Sequence, residues 1–149
     1  MATPLIPQRT PAYSNCSLCI GFVITLLVTS VIWMECKLLS EQPLVQAHLA
    51  DMVVDLDAAR LLVLRAAYLK DTTGGKLTTE VSIGKLGATE AAQRVIDRAV
   101  QLFGGRGVMA GAVVEQLYRA IRPLRIYEGT SEIQRTIIGR ALAKQGRPG

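Results

Sequence analysis

Arg125-Ile126-Tyr127-Glu128-Gly129-Thr130-Ser131-Glu132-Ile133-Gln134 separates two runs of helical period near the end of this chain. Ser131 and Gln134 have the S-x-x-Q spacing of a capping box, which predicts a new helix starting there. Glu128 then falls at the C-terminal end of the preceding helix, where its charge opposes the helix dipole. The next helix N-terminus, just ahead, offsets part of that cost. On local grounds alone, Glu128 reads as a solvated acid in a turn.

Helical stepping recurs on both sides of this stretch. Val114, Leu117, Ile121 and Leu124 form a stripe before the turn, with Pro123 breaking regular hydrogen bonding near its end. Ile133, Ile137 and Ala141 continue it on the last helix. Ala88, Ala92, Val95, Ala99 and Leu102 make a stripe of small residues, closed by Gly104 and Gly105. Val45, Leu49, Met52, Leu56, Ala59, Val63 and Ala66 alternate steps of four and three, closed by Gly74 and Gly75. Pro43 suits a first helical turn, with Ser40 as its cap. The expected helices are Pro43 to Leu69, Glu80 to Phe103, Val113 to Tyr127 and Ser131 to Lys144. Nothing in this body alternates with a period of two. The expected fold is all-α, an antiparallel four-helix bundle.

Composition agrees. The chain has 149 residues, half of them apolar and only 5% aromatic, which suits packed helices better than a sheet. The net charge of +5 comes from 17 Lys and Arg against 12 Asp and Glu. No base-stacking aromatics are interleaved with the basic residues, so nucleic acid is a poor partner.

The front differs from the body. Between Arg9 and Glu35 there is no charged residue, a run of roughly 25 residues that is long enough to span a bilayer. It is expected to form one long hydrophobic helix, about Cys16 to Met34. Residues 16–34 read either as a membrane segment or as a substitute helix of the bundle. Cys16 and Cys19 form a C-x-x-C, and Cys36 follows. With His48 the only histidine and no second cysteine pair, a zinc site lacks ligands. His48 flanks the first stripe and reads as structural.

Three motifs carry a family resemblance. They are Glu90-Ala91-Ala92-Gln93-Arg94-Val95, then Gln101-Leu102-Phe103-Gly104-Gly105-Arg106-Gly107, then Val114-Glu115-Gln116-Leu117-Tyr118-Arg119 leading into Ile126 to Gln134. Together they resemble the C-terminal helical domain of acyl-CoA dehydrogenases, with Ile126-Tyr127-Glu128-Gly129-Thr130-Ser131 the most specific part. The resemblance extends back through Leu49-Ala50-Asp51-Met52 to about Leu38. It divides the chain into a divergent hydrophobic segment, 1–39, and a family-like helical domain, 40–147.

The resemblance implies FAD-dependent α,β-dehydrogenation of acyl-CoA thioesters, with Glu128 as the base that removes the α-proton. It implies that Gly129 lets the thioester approach the backbone. It assigns FAD contacts to Thr130, Ser131 and Glu132 and to the loop of Gln101, Gly104 and Gly105, the latter serving a partner subunit. Acyl-CoA, an electron-transfer flavoprotein and a second copy of the chain are the implied partners. The implied location is the cytoplasm or the mitochondrial matrix, with membrane association through residues 16–34 as the alternative.

The chain also departs from the family. Glu132 stands where several relatives have glutamine, and the Arg-x-x-Phe-Gly motif expected ahead of Leu38 is absent. The N-terminal helical domain and middle β-domain are missing from these residues too. Without those covers Glu128 is expected to be exposed, and the chain by itself inactive. Two rival readings remain: one half of a split enzyme, and a membrane-anchored bundle that acts only in association.

Overall fold

The computed structural model describes residues 41–145. The hydrophobic segment 16–34, the three cysteines and Ser40 lie outside the described residues. Within them are four α-helices and no strand. These are α1 (Pro43–Thr73), α2 (Thr78–Phe103), α3 (Val113–Leu124) and α4 (Ser131–Gln145), with a 3-10 turn, Gly104–Val108, after α2.

α1 and α2 are antiparallel, and their contacts show it. A side chain at Gly84 would meet Ala66, and one at Gly87 would meet Leu62. Farther along, Arg94 binds Asp55, and Arg98 binds both Asp55 and Asp51. As one helix ascends in number the other descends. The two glycines let the helices approach closely at one end, and the charged cluster ties them at the other.

α2 is the hub, packing against all three other helices and the 3-10 turn. Its stripe explains why. Ala88, Ala92, Val95 and Ala99 are buried, together with Ile96. All of these but Ala88 meet Met52 from α1 and Val114, Ile121 and Leu124 from α3 to form the core. Every residue of the expected α1 stripe, Val45 to Ala66, is buried or half-buried. On the opposite face of α1, Val54, Leu61, Leu64 and Tyr68 stand exposed.

Helix ends and one helix face differ from expectation. α1 runs past Leu69 because Thr72 and Thr73 turn their hydroxyls back to the carbonyls of Tyr68 and Leu69. It then stops at Gly74, whose left-handed φ of 62° lets its N–H reach Lys70. α3 stops at Leu124, short of Tyr127, because the N–H groups of Arg125 and Ile126 turn to carbonyls only three residues back, those of Arg122 and Pro123. α4 does not point Ile133 inward; that residue is 52% exposed, while Ser131 and Gln134 are buried.

Among the described residues no helix is long and apolar enough to cross a membrane. Among them, too, no group of three His, Cys, Asp or Glu side chains could hold a metal ion.

Candidate functional site

The α3–α4 turn carries Glu128. After Leu124 the chain tightens through the bonds to Pro123, and then Glu128 takes φ 56° and Gly129 φ 88°. Glu128 is the only non-glycine residue with positive φ among the described residues. For an L-residue with a side chain this conformation costs about 1–2 kcal/mol. Something outside the turn must therefore hold it.

Part of the answer is Lys85 on α2. Its residue is only 7% exposed. Its ammonium donates to the carbonyl oxygens of Tyr127 (2.6 Å), Glu128 (3.2 Å) and Gly129. Three donors meet three acceptors. Burial pulls the Lys85 ammonium below its ordinary pKa, and the charge of Glu128 pulls it partly back. Gln134, buried on α4, donates from Nε2 to the carbonyls of Glu128 and Gly129, both at 3.2 Å.

A second anchor from α2 holds the two flanks of the turn. Arg125 donates to both oxygens of Glu90, from Nε at 2.9 Å and Nη2 at 3.0 Å. Ser131 donates its hydroxyl to the same carboxylate at 2.6 Å. Arg135 stands 3.8 Å away. Burial pushes the Glu90 carboxyl up, but the bonds from Ser131 and Arg125 and the charges of Arg125 and Arg135 outweigh it. The net direction is below the usual carboxylate value.

This corrects the capping box in register. Thr130, not Ser131, caps α4, its Oγ1 accepting the N–H of Ile133 at 3.4 Å. The Ser131 hydroxyl goes to Glu90 and its N–H to the Arg125 carbonyl. Gln134 turns back to the preceding turn rather than to a cap N–H. The S-x-x-Q spacing marked a helix start for the wrong physical reason.

The expected site residues fall into two groups. Glu128, Gly129, Thr130, Ser131 and Glu132 are contiguous, and the Glu128 and Glu132 side chains are exposed. A shallow pocket of about 110 Å³ opens beside them, lined by Arg122, Arg125, Ile126, Thr130, Ser131 and Glu132. Glu132 lies below its ordinary pKa, first through its own backbone N–H and then through the Thr130 hydroxyl. Gln101, Gly104 and Gly105 are exposed at the far end of α2, where Gly104 (φ 57°) ends the helix and donates its N–H to Gln101. Lys85 marks the Glu128 turn on α2, and the sixteen residues from it to Gln101 span about 24 Å of helix. The two groups thus lie at opposite ends of the hub helix.

Two anchoring residues of α2 escaped the reading of site residues, and Gln134 was read only as part of a cap. Lys85 shares a helical face with Ser82, Ala88, Thr89 and Ala92, all buried. A lysine on such a face needs an oxygen cage, and that was the available signal. Glu90 stood within a quoted motif without a role.

Residues 33–143 match the family described as "Acyl-CoA dehydrogenase, C-terminal domain". The chain belongs to the acyl-CoA dehydrogenase family. It is similar to the mitochondrial short-chain specific acyl-CoA dehydrogenase of Sus scrofa, 45% identical over 103 residues. That match covers 69% of this chain and 25% of the relative. Among solved structures, butyryl-CoA dehydrogenase from Megasphaera elsdenii superposes with a TM-score of 0.80 at 31% identity, covering 85% of this chain and 35% of that one. The FAD complex of PigA superposes with a TM-score of 0.76 at 25% identity, covering 87% and 35%. The chain spans about a quarter of the length of the curated relative it matches. The all-helical domain is the acyl-CoA dehydrogenase C-terminal domain, and the motifs around Glu128 and Gly104 lie inside the matched range.

Proposed function

We propose that this domain supplies the base side of an acyl-CoA dehydrogenase site, with Glu128 as the group that accepts the α-proton of an acyl-CoA thioester. The observation that carries this reading is the turn itself. An exposed carboxylate sits on a left-handed backbone held from beneath by buried side chains of α2 and α4. A turn anchored this way sets where a carboxylate stands before substrate arrives. Gly129, next along, leaves room for a thioester to approach the backbone.

The residues present fit one edge of FAD. Arg122, Arg125 and Thr130 line a small pocket at the N-terminus of α4, and such a setting suits an anionic or polar cofactor edge. Thr130 and Glu132 would meet it there. Ser131, buried and bonded to Glu90, holds the pocket wall. When bound, FAD takes up the β-hydrogen as hydride. This chain's own part is to take the α-proton at the Glu128 carboxylate; with both hydrogens gone, a trans-2-enoyl-CoA remains.

The site is incomplete in one copy. Gln101 lies about 24 Å along α2 from Lys85 beneath the Glu128 turn, and Gly104 and Gly105 follow just past the end of that helix, so they suit the cofactor of a second copy. We therefore read the domain as one part of an assembly that includes front domains of the family type. An electron-transfer flavoprotein is the proposed acceptor, and the cytoplasm or mitochondrial matrix the proposed location. The split-enzyme arrangement is a form of the same reading. A membrane-anchored bundle draws no support from the described helices.

The test adds the front domains of a related dehydrogenase, by fusion or in trans, and follows dye reduction by butyryl-CoA with FAD present. Turnover that needs both parts supports the reading. A flavin-loaded complex that binds butyryl-CoA without oxidising it contradicts it.

A further inference from the structure

We propose that Lys85 is the positioning residue for Glu128, fixing the backbone of the turn so that the carboxylate faces outward toward substrate. This rests on the reading of Glu128 as the base.

The geometry separates this role from ordinary helix capping. The end of α3 has its own closing bonds, because the N–H groups of Arg125, Ile126 and Tyr127 donate to the carbonyls of Arg122 and Pro123. Lys85 acts beyond the helix, on the three successive carbonyls of Tyr127, Glu128 and Gly129. Drawing these oxygens toward one buried ammonium turns the backbone on both sides of Glu128 inward to α2. The Glu128 side chain is left on the exposed side. It also accounts for the unfavourable φ of 56° at a residue that is not glycine.

The residue type follows from the same geometry. An ammonium is a compact point charge with three donors that rotate to suit converging oxygens. A guanidinium is a planar fork and cannot gather three carbonyls around one point. Lys85→Arg keeps the charge but should not keep the turn. Gln134 reaches only the Glu128 and Gly129 carbonyls and leaves Tyr127 to Lys85.

The test has two arms. The first uses the full chain, isotopically labelled, and reads the Glu128 backbone conformation from NMR shifts and couplings. Amide exchange along α2 checks that the body is folded. Lys85→Met and Lys85→Arg should each lose the positive-φ signature at Glu128 while α2 stays protected. If Lys85→Met does not fold, Lys85→Gln, which keeps a shorter neutral donor, takes its place under the same criterion. A positive φ at Glu128 in the folded variants would overturn the proposal.

The second arm adds the front domains and FAD. Lys85→Met should lower kcat roughly tenfold to a hundredfold, with KM for butyryl-CoA little changed. An unchanged kcat in a complex where Glu128→Gln is inactive would also overturn it. Equal activity of Glu128→Gln and the parent would instead defeat the base assignment, and the first arm would still judge the role of Lys85.

Discussion

Glu90 on α2 takes both nitrogen edges of Arg125, the residue that opens the turn bearing Glu128. Both side chains are about one-fifth exposed, so water screens the pair only in part. Ser131 closes the turn on the same carboxylate. Removing that carboxylate strands Arg125 and the Ser131 hydroxyl together. Glu90→Ala should therefore destabilise the chain by about 1.5–3 kcal/mol, seen as a lower urea midpoint with an unchanged slope. A midpoint within error of the parent would show that the pair contributes nothing.

The pH dependence follows from two carboxylates. Asp55 is held below its ordinary pKa, first by the bond from Arg94, against burial, and then by Arg98. Glu90 also lies below its ordinary value once its bonds and neighbouring charges outweigh burial. In each case the folded chain binds its proton less readily than the unfolded one. The stability they add is complete above the ordinary carboxylate range and is lost as pH falls below about 4.5. Urea midpoints measured between pH 7 and pH 3 should fall with acidification, and Glu90→Gln should flatten part of that fall. A midpoint rising toward pH 3 would contradict the sign.

Gly129 and Gly107 make a pair of tests at opposite ends of α2. A Cβ at Gly129, where φ is +88°, would lie 2.7 Å from the Gln134 amide nitrogen that bonds the turn. One at Gly107 would lie 2.6 Å from the backbone carbonyl of Val100, which cannot yield as a side chain can. Gly107→Ala should lower the melting temperature more than Gly129→Ala. Gly129→Ala should act mainly on amide protection around Glu128. The reverse order of stability would mean that the 3-10 turn is less tightly seated than these contacts require.

Much of this architecture was legible in local pattern. The four-and-three stepping of Val45 to Ala66 found the buried face of α1, and Gly74 marked its end, because both depend on neighbours within a turn or two. The motif around Glu128 pointed to the family, and residues 33–143 match it. The support of the turn was not legible in the same way. Lys85 and Glu90 act across 42 and 35 residues of chain, on Tyr127 and Arg125. No periodicity records which carbonyl a lysine will meet. On α4 the apolar pattern misled, because Ile133 is outside while Ser131 and Gln134 are buried to anchor the turn. Polar residues with specific partners took the inner positions that hydrophobic stepping assigns to isoleucine.

The central claim is that Glu128 accepts the substrate α-proton, and α-proton exchange measures this most directly. With the front domains of a related dehydrogenase supplied and FAD bound, the complex is placed in deuterated water with an acyl-CoA. Deuterium incorporation at the α-carbon is then compared between the parent and Glu128→Gln. Glutamine keeps the shape but cannot accept the proton, so exchange should fall roughly a hundredfold or more. Exchange at the parent rate, with FAD and ligand bound equally in both complexes, would remove Glu128 from the role proposed for it.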